Sequence, residues 1–394
     1  MVARRVTVSR RRRWIAGETK IAVGVALGAL GALVWSATSH ASYALLIDGR
    51  TNLPILTQLH VRSVRELVAS PLLAIFFLGV GLELARERRH GILAQRRHAV
   101  SPIAAAVGGM AATAFIQAGI GLTTSTPDLL HGWGVPMATD VALVLGVVAA
   151  AGHRLPLTTR LFLLALAVTD DLISVVVLGL IGGRSVRLWG LALIVVAGIA
   201  LYVLSRRVAG TTLRWAFLAL LWALFAWTGV EPALSGVLVG LVVPSDVHSA
   251  KRLEPVASWW STRLILPAFA LVSCGLDISQ LTWRGPVPGI VVGVATARIA
   301  GKTLGIVGGV MLAQRFGYDA PAGVRGRVLW GSGLVCSMGI TIPVLFADAL
   351  FPSEARVTNA FTAGLLLATT VGAAAALLIW RSPPRRERRH LART

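Results

Sequence analysis

The sequence has few charged and few reactive residues, and these scarcities exclude several classes of protein. Only 14% of the 394 residues are Asp, Glu, Lys or Arg, against roughly 25% in a typical soluble domain. The two cysteines, Cys274 and Cys336, lie inside apolar segments, so neither a disulfide framework nor metal-cluster spacing is present in the sequence. No Ser/His/Asp set, metal-binding motif or phosphate loop stands out, so we do not expect an enzyme.

Apolar residues are abundant instead, and they predict a membrane protein. Hydrophobic residues make up 55% of the chain, and the mean hydropathy is +0.74. Several uncharged stretches reach the roughly 20 residues that a helix needs to cross a bilayer, and together they predict an all-α integral membrane protein with about twelve transmembrane helices. We expect a transmembrane domain over residues 20–380, between basic cytoplasmic tails at 1–19 and 381–394.

The excess of basic residues predicts the orientation of the chain in the membrane. The net charge is +21, and Lys and Arg concentrate in the segments that share one side of the membrane when both termini are cytoplasmic. This is the positive-inside pattern of a multi-pass inner-membrane protein. The basic residues lie in short loops and tails rather than on one face, so we expect contact with the anionic lipid of the bilayer and no binding of nucleic acid.

Four ionisable residues are expected at membrane depth, and they are the candidate site. Asp170 and Asp171 lie in the middle of the fifth predicted span, Asp140 lies early in the fourth, just after Gly134 and Pro136, and Lys302 lies in the tenth. A carboxylate in a bilayer is costly unless it is paired, hydrated or protonated. These residues therefore predict an ion or proton pathway.

The adjacent aspartates are expected to have different roles. Neighbouring residues on a helix point about 100° apart, so Asp170 and Asp171 cannot face one ligand in the same way. One of them could form a buried ion pair with Lys302, while the other could join Asp140 as a hard oxygen ligand for a small cation. Carboxylates that share a site raise each other's proton affinity, which is what exchange of protons for a cation requires.

The composition of the eleventh span predicts a break in its helix. Residues 331–343 are rich in Gly, Ser, Thr and Pro, and Gly339, Thr341 and Pro343 are the residues at which we expect the interruption. The fourth span shows a weaker version of the same pattern. Interrupted helices in the two halves of a chain are typical of transporters with inverted repeats and an ion site near the membrane midplane.

Several motifs resemble the NhaA family of sodium/proton antiporters, in the order in which that family has them. The resemblance extends from about residue 20 to residue 380 and is most specific where a Thr-Asp, an Asp-Asp and a later Gly-Lys occur together. The motifs are Phe-Phe-Leu-Gly-Val-Gly-Leu-Glu at 76–83, Ala-Thr-Asp-Val-Ala at 138–142, Leu-Ala-Val-Thr-Asp-Asp at 166–171, Lys-Arg-Leu-Glu at 251–254 and Gly-Lys-Thr-Leu-Gly-Ile at 301–306.

This resemblance implies a twelve-helix fold with crossed, discontinuous fourth and eleventh helices, and electrogenic exchange of two protons for one Na⁺ or Li⁺. It implies that Asp171 is the principal cation and proton carrier, with Asp140 and Thr139 beside it, and that Asp170 pairs with Lys302. The resemblance implies no organic cofactor. It also implies a homodimer, formed through an outside hairpin near 44–58. The resemblance also implies pH regulation at a cytoplasmic funnel, with Glu83, Glu87, Lys251, Arg252 and Glu254 as the candidates.

The sequence departs from the family pattern at several positions. Serine stands at Ser70, where the family has an acidic residue, and Glu231 stands where a histidine is common. Ser337 and Pro343 alter the usual motif of the eleventh span, and the proline could shift the break. These departures bear on the pH set-point, the affinity and the activity, and they leave the four central charges in place.

Each candidate also has a purely structural interpretation. The aspartate and lysine pair could be a fixed ion pair, Asp140 could be only an N-cap, and Thr139 could bind only backbone. Glu83 and Glu87 could form a solvated cluster with the arginines at 86, 88 and 89. At the level of function, the alternatives to an antiporter are a passive cation pathway and a non-transporting homologue that serves as a sensor or scaffold; few, clustered and lysine-paired charges favour alternating access.

Overall fold

Helices are the regular secondary structure of the part of the chain that the computed structural model describes, and no strand occurs within that part. It comprises residues 23–50, 61–90, 96–152, 155–181, 188–207, 211–229, 232–242, 248–276, 285–351 and 354–381. The predicted tails lie outside it, except for Arg381, which ends the last helix.

Helices α1 to α8 form the amino-terminal part, with a π-helical turn at Val68–Leu72 and a 3-10 turn at Val135–Met137. Their bounds are α1 Val23–Thr38, α2 His40–Ile47, α3 Val64–Leu67, α4 Leu73–His90, α5 Arg96–Thr123, α6 Pro127–His131, α7 Val141–Ala151 and α8 Leu157–Ile181. The helices that follow are α9 Leu188–Arg207, α10 Thr211–Thr228, α11 Leu234–Val242, α12 His248–Trp260, α13 Leu266–Ser273, α14 Val287–Arg315, α15 Arg327–Val335, α16 Thr341–Leu350 and α17 Ala355–Arg381.

Within the described residues, four helical segments are long and apolar enough to cross a membrane: Val64–Arg86, Ala99–Thr123, Val287–Arg315 and Ala355–Arg381. Shorter apolar helices cover Val23–Thr38, Val135–Ala151, Ala192–Leu204 and Arg214–Thr228. The expectation of an all-α, multi-pass membrane protein is confirmed by this architecture.

Prolines explain two widened turns in these helices. Pro71 lies inside the π-helical turn Val68–Leu72, and a second π-helical turn, Ser261–Ile265, ends just before Pro267. Proline has no N–H, and its ring clashes with the carbonyl one turn earlier, so a wider turn lets the helix continue past it. The first of these turns joins α3 and α4 into one span.

The most extensive helix contact among the described residues lies between α5 and α14, and it fixes the position of Lys302. A Cβ added to Gly301 would lie 2.5 Å from Cα of Thr113, and one added to Gly305 would collide with the carbonyl of Gly108. Small residues that let two backbones touch are typical of membrane helix interfaces. Because α5 also packs against α8, this interface holds Lys302 beside the helix that carries the paired aspartates.

The segment near 44–58, where the resemblance implied a hairpin, is described only in part. Residues 44–47 belong to helix α2, and 51–60 lie outside the described residues. Asp48, which follows α2 in a turn, forms an ion pair with Arg65 at 2.5 Å.

Candidate functional site

Two interrupted helical segments meet at the site. In one, the 3-10 turn Val135–Met137 gives way to extended backbone at Ala138 before α7 begins. In the other, α15 ends at Val335 and α16 begins at Thr341. The backbone N–H of Asp140 donates to the carbonyl of Met338 over 3.2 Å, so the two interruptions are in direct contact.

Gly339 and Pro343 suit the second interruption for different reasons. A Cβ added to Gly339 would lie 2.8 Å from the carbonyl oxygen of Ala138 and 3.1 Å from the backbone nitrogen of Asp140. Only glycine allows so close an approach of the two segments. Pro343 lies in the first turn of α16, where a backbone N–H has no helical acceptor, so its missing donor costs little there. The backbone of Thr341 begins α16, and the placement of its side chain is outside what the structure describes.

The Asp140 carboxylate lies at the amino-terminal end of α16. It is 4% exposed, and its Oδ2 accepts a hydrogen bond from the backbone N–H of Ile340 over 2.5 Å. Asp140 holds the N-cap position of α7, yet its side chain makes no capping hydrogen bond to that helix. An anion is favoured at the positive end of a helix, so Asp140 serves the opposite segment rather than only its own.

Thr139 provides a hydrogen-bond donor to the carboxyl-terminal end of α15. Its hydroxyl donates to the carbonyl of Cys336, the residue that directly follows α15, over 2.9 Å. The side chain is fully buried. This geometry matches the backbone-bonding interpretation of Thr139, and the hydroxyl oxygen keeps lone pairs that a small cation could share.

Asp170 and Lys302 form the ion pair at the centre of the site. Nζ of Lys302 lies 2.7 Å from both carboxylate oxygens of Asp170, and both side chains are fully buried. The residues alone left open which of the two adjacent aspartates would pair with the lysine, and the resemblance implied Asp170; in the structure, Lys302 bonds Asp170. Charged hydrogen bonds at this distance satisfy each group's need for a partner away from water.

Asp171 follows Asp170 on α8 and is also buried, at 2% exposure. Adjacent residues project about 100° apart on a helix, so the Asp171 carboxylate has a direction of its own. Helix α8 packs against α7, α15 and α16, which carry or flank the two interruptions. No group of three or more His, Cys, Asp or Glu side chains with the arrangement of a metal centre occurs among the described residues, so Na⁺ binding there would draw on backbone and hydroxyl oxygens as well as carboxylates.

Arg298 is the residue that the sequence analysis missed. It is fully buried and donates from Nε to the carbonyl of Ser337 over 2.5 Å, from Nη1 to that of Pro136 over 2.8 Å, and from Nη2 to that of Ala138. The guanidinium therefore satisfies carbonyls of both interruptions. A signal was available: Arg298 lies one turn before Lys302 in an apolar span, and an ionisable residue at membrane depth is a functional candidate by default.

Of the residues proposed for pH regulation, the structure describes the side chain of Glu83. Its Oε2 lies 3.7 Å from Nη2 of Arg160, so the pair links α4 to α8, the helix of Asp170. The sequence had suggested arginines on α4 itself as its partners. Four further candidates lie on α4 or α12, and the placement of their side chains is outside the described part of the chain: Glu87, Lys251, Arg252 and Glu254.

Among the departures, Ser70 and Ser337 have defined contacts. The hydroxyl of Ser70 accepts a hydrogen bond from Nε1 of Trp222 over 2.9 Å, and that of Ser337 donates to the carbonyl of Leu334 over 2.6 Å. Glu231 lies outside the described residues. Both serines are thus part of the helix packing.

An all-helical apolar chain with interrupted helices and a buried ion pair has the architecture of an ion-coupled membrane transporter. Residues 12–380 match the profile of the family described as Na⁺/H⁺ antiporter 1, and the chain belongs to that family. The resemblance inferred from the motifs is thereby confirmed.

Relatives of similar length support this assignment. The chain is 34% identical over 324 residues to the Na⁺/H⁺ antiporter NhaA of Proteus mirabilis, covering 80% of this chain and 82% of the relative. It is 37% identical over 365 residues to Na⁺/H⁺ antiporter NhaA 2 of Frankia alni, covering 90% and 74%. It is 36% identical over 358 residues to the NhaA of an Acidovorax species, covering 86% and 82%.

Proposed function

We propose that this chain exchanges Na⁺ or Li⁺ for protons across the inner membrane by alternating access. The observation that carries the proposal is the fully buried pair of Asp170 and Lys302 beside Asp171, on helices that touch both interruptions. A buried charge cluster is expensive in a membrane, and a family of Na⁺/H⁺ antiporters supplies the reason for keeping it. The twelve-span fold with crossed, discontinuous fourth and eleventh helices and cytoplasmic termini belongs to the same proposal.

Asp171 is the proposed carrier, and Asp140 and Thr139 lie beside the transported cation. Carboxylate and hydroxyl oxygens are the hard ligands that a small cation prefers. Lys302 bonds both oxygens of Asp170, so Asp170 is the member of the adjacent pair that forms the ion pair, and Asp171 is the proposed carrier. Competition of protons and Na⁺ for the Asp171 carboxylate then couples the two flows.

The proposed cycle is electrogenic because unequal charges are exchanged. If the buried carboxylates and Lys302 together take up two protons for each Na⁺ that leaves, two positive charges cross the membrane in exchange for one. The Asp170–Lys302 pair acts either as a fixed ion pair or as a pair whose proton the cation displaces. In the second case, replacing Lys302 by alanine changes the voltage dependence of exchange.

The salt bridge of Glu83 with Arg160 provides the proposed route for pH regulation. It joins α4, whose cytoplasmic end carries Glu87, to α8, which carries Asp171. A change of charge at this bridge alters the contact between the two helices and so the access to the carrier. Lys251, Arg252 and Glu254 on α12 complete the proposed funnel, and a homodimer in the bilayer is the proposed assembly.

Sodium-driven collapse of a pH gradient in proteoliposomes tests the proposal. We expect saturable collapse with Na⁺ or Li⁺ somewhere between about pH 6 and 9, and its loss in the folded Asp171→Asn variant. The matched control is Asp319→Asn, because Asp319 is an exposed aspartate outside the site; this variant keeps normal exchange. Absence of collapse with folded wild-type protein at every pH would refute antiport and favour a sensor or scaffold role, and collapse by Asp171→Asn would move the carrier elsewhere.

A further inference from the structure

Arg298 is a fully buried cation that the proposed exchange mechanism does not yet use. Its three hydrogen bonds all go to backbone carbonyls, two before α7 and one after α15. These carbonyls lie where regular helix stops, so they lack the helical donors that they would otherwise have. One guanidinium thereby bridges the two interruptions.

The charge of Arg298 differs in kind from that of Lys302. Lys302 bonds directly to a carboxylate, whereas the three hydrogen bonds of Arg298 go to neutral carbonyls, and its charge interacts electrostatically with the carboxylates of Asp140 and Asp170. Arginine keeps its proton at any working pH. The positive charge of Arg298 is therefore constant through a transport cycle in which carboxylates bind and release cations.

This constant charge lies next to a proposed cation ligand. Nη2 of Arg298 donates to the carbonyl of Ala138, two residues before Asp140. This nitrogen, the Ala138 carbonyl and the Asp140 backbone nitrogen all surround Gly339, since a Cβ added there would contact all three. In a buried site, a positive charge near a bound monovalent cation changes the binding free energy of that cation by an amount that is large compared with thermal energy. The same guanidinium also fixes the backbone just before Asp140, through its hydrogen bonds to Pro136 and Ala138, and so helps to position the Asp140 carboxylate.

We propose that Arg298 is a positioning residue that joins the two helix interruptions and, by its fixed charge, weakens Na⁺ binding at the neighbouring carboxylates so that the cation can be released. The inference rests on the proposed Na⁺ exchange and deepens it. It predicts that two properties separate on mutation. Loss of the positive charge at position 298 lowers the apparent KM for Na⁺. Loss of the hydrogen bonds lowers the unfolding temperature.

The test compares Arg298→Gln with Arg298→Lys. The glutamine variant loses the charge, so we expect its KM for Na⁺ to fall by about tenfold or more, with a lower maximal rate because release slows. The lysine variant keeps the charge but cannot reach all three carbonyls in the fork geometry of arginine. We expect its KM to stay within about twofold of wild type, while both variants unfold at a lower temperature. Arg315→Gln, an exposed arginine at the end of the same helix, is the matched control and leaves KM unchanged.

Two readouts keep this inference distinguishable from the proposed function. Exchange in proteoliposomes gives KM and maximal rate, and the Na⁺ concentration that half-maximally stabilises the detergent-solubilised protein reports binding without transport. If wild-type protein exchanges Na⁺ and the KM is equal in wild type and Arg298→Gln, the inference is wrong although antiport stands. If Arg298→Gln does not fold, Arg298→Lys decides, because a KM shift beyond about fivefold in that charge-preserving variant overturns the inference.

Discussion

Breaking the pair of Asp170 and Lys302 gives the sharpest structural prediction. Both side chains are fully buried, and Nζ contacts both carboxylate oxygens at 2.7 Å. The variant Lys302→Met keeps an unbranched side chain, one atom shorter than lysine, and leaves the carboxylate without its partner. Removing one partner of a buried pair costs about 3–5 kcal/mol, mostly because the remaining charge stays buried. We expect a loss of this size in the free energy of unfolding for Lys302→Met and for Asp170→Asn.

The assay is equilibrium unfolding in mixed detergent micelles, run as a double-mutant cycle. The double variant Asp170→Asn with Lys302→Met has no unpaired charge, so its loss should be clearly smaller than the sum of the two single losses. The ion pair of Asp48 with Arg65 serves as the matched control. Its side chains are 45% and 35% exposed, and an exposed pair is worth about 0–1 kcal/mol, so Asp48→Asn should have little effect.

Additivity in this cycle would refute the reasoning. If the double variant loses as much as both single variants together, the two groups do not compensate each other in the protein. If Asp48→Asn costs as much as Asp170→Asn, burial is not the reason for the loss. Either result would remove the argument that an expensive buried cluster is kept for transport.

Three further predictions concern the site and its supports. Asp140→Asn keeps the shape but lowers the charge at the amino-terminal end of α16, and should raise the KM for Na⁺ about tenfold or more in proteoliposome exchange. Glu83→Gln breaks the bridge to Arg160, whose side chain is about one-fifth exposed; it should shift the pH profile of exchange while changing the unfolding free energy by less than about 1 kcal/mol. Gly305→Leu places a side chain against the Gly108 carbonyl and should prevent recovery of folded protein, as seen by size-exclusion chromatography.

Different outcomes would contradict each of these expectations. Unchanged Na⁺ KM in Asp140→Asn would place the cation away from that carboxylate. An unaltered pH profile in Glu83→Gln would leave the bridge with a structural role only, and Arg325→Gln, on an exposed loop, gives the baseline for removing a surface charge. A normally folded Gly305→Leu protein would show that α5 and α14 are not in close contact; Gly308→Leu is its control, since Gly308 faces open space.

The membrane class and the central charges could be predicted because both follow from composition. Apolar length determines which segments can cross a bilayer, and carboxylates in such segments are too costly to be incidental. The interruption after Val335 could also be predicted, since Gly339 and Pro343 are of the two residue types that are unfavourable in the interior of a helix. These inferences need no knowledge of which helices are neighbours.

Contacts between residues that are far apart in the sequence could not be predicted from the residues alone, because these contacts depend on which helices are neighbours. The choice of Asp170 over Asp171 for Lys302 depends on how α8 is rotated, which periodicity does not determine. Glu83 lies within ion-pair distance of Arg160, because α4 and α8 are in contact, and this contact between distant parts of the chain leaves no local sequence pattern. Arg298 was overlooked because its acceptors are backbone carbonyls, which leave no trace in the side-chain sequence.

The most direct test of the central claim is to measure radioactive Na⁺ uptake and proton release in the same proteoliposomes, with wild-type protein and with Asp171→Asn. Coupled exchange predicts that an imposed pH gradient drives Na⁺ uptake against its own gradient in wild type, and that both fluxes vanish together in the variant. Na⁺ uptake that only runs down its gradient and ignores the pH gradient would contradict the account and show a passive cation pathway instead.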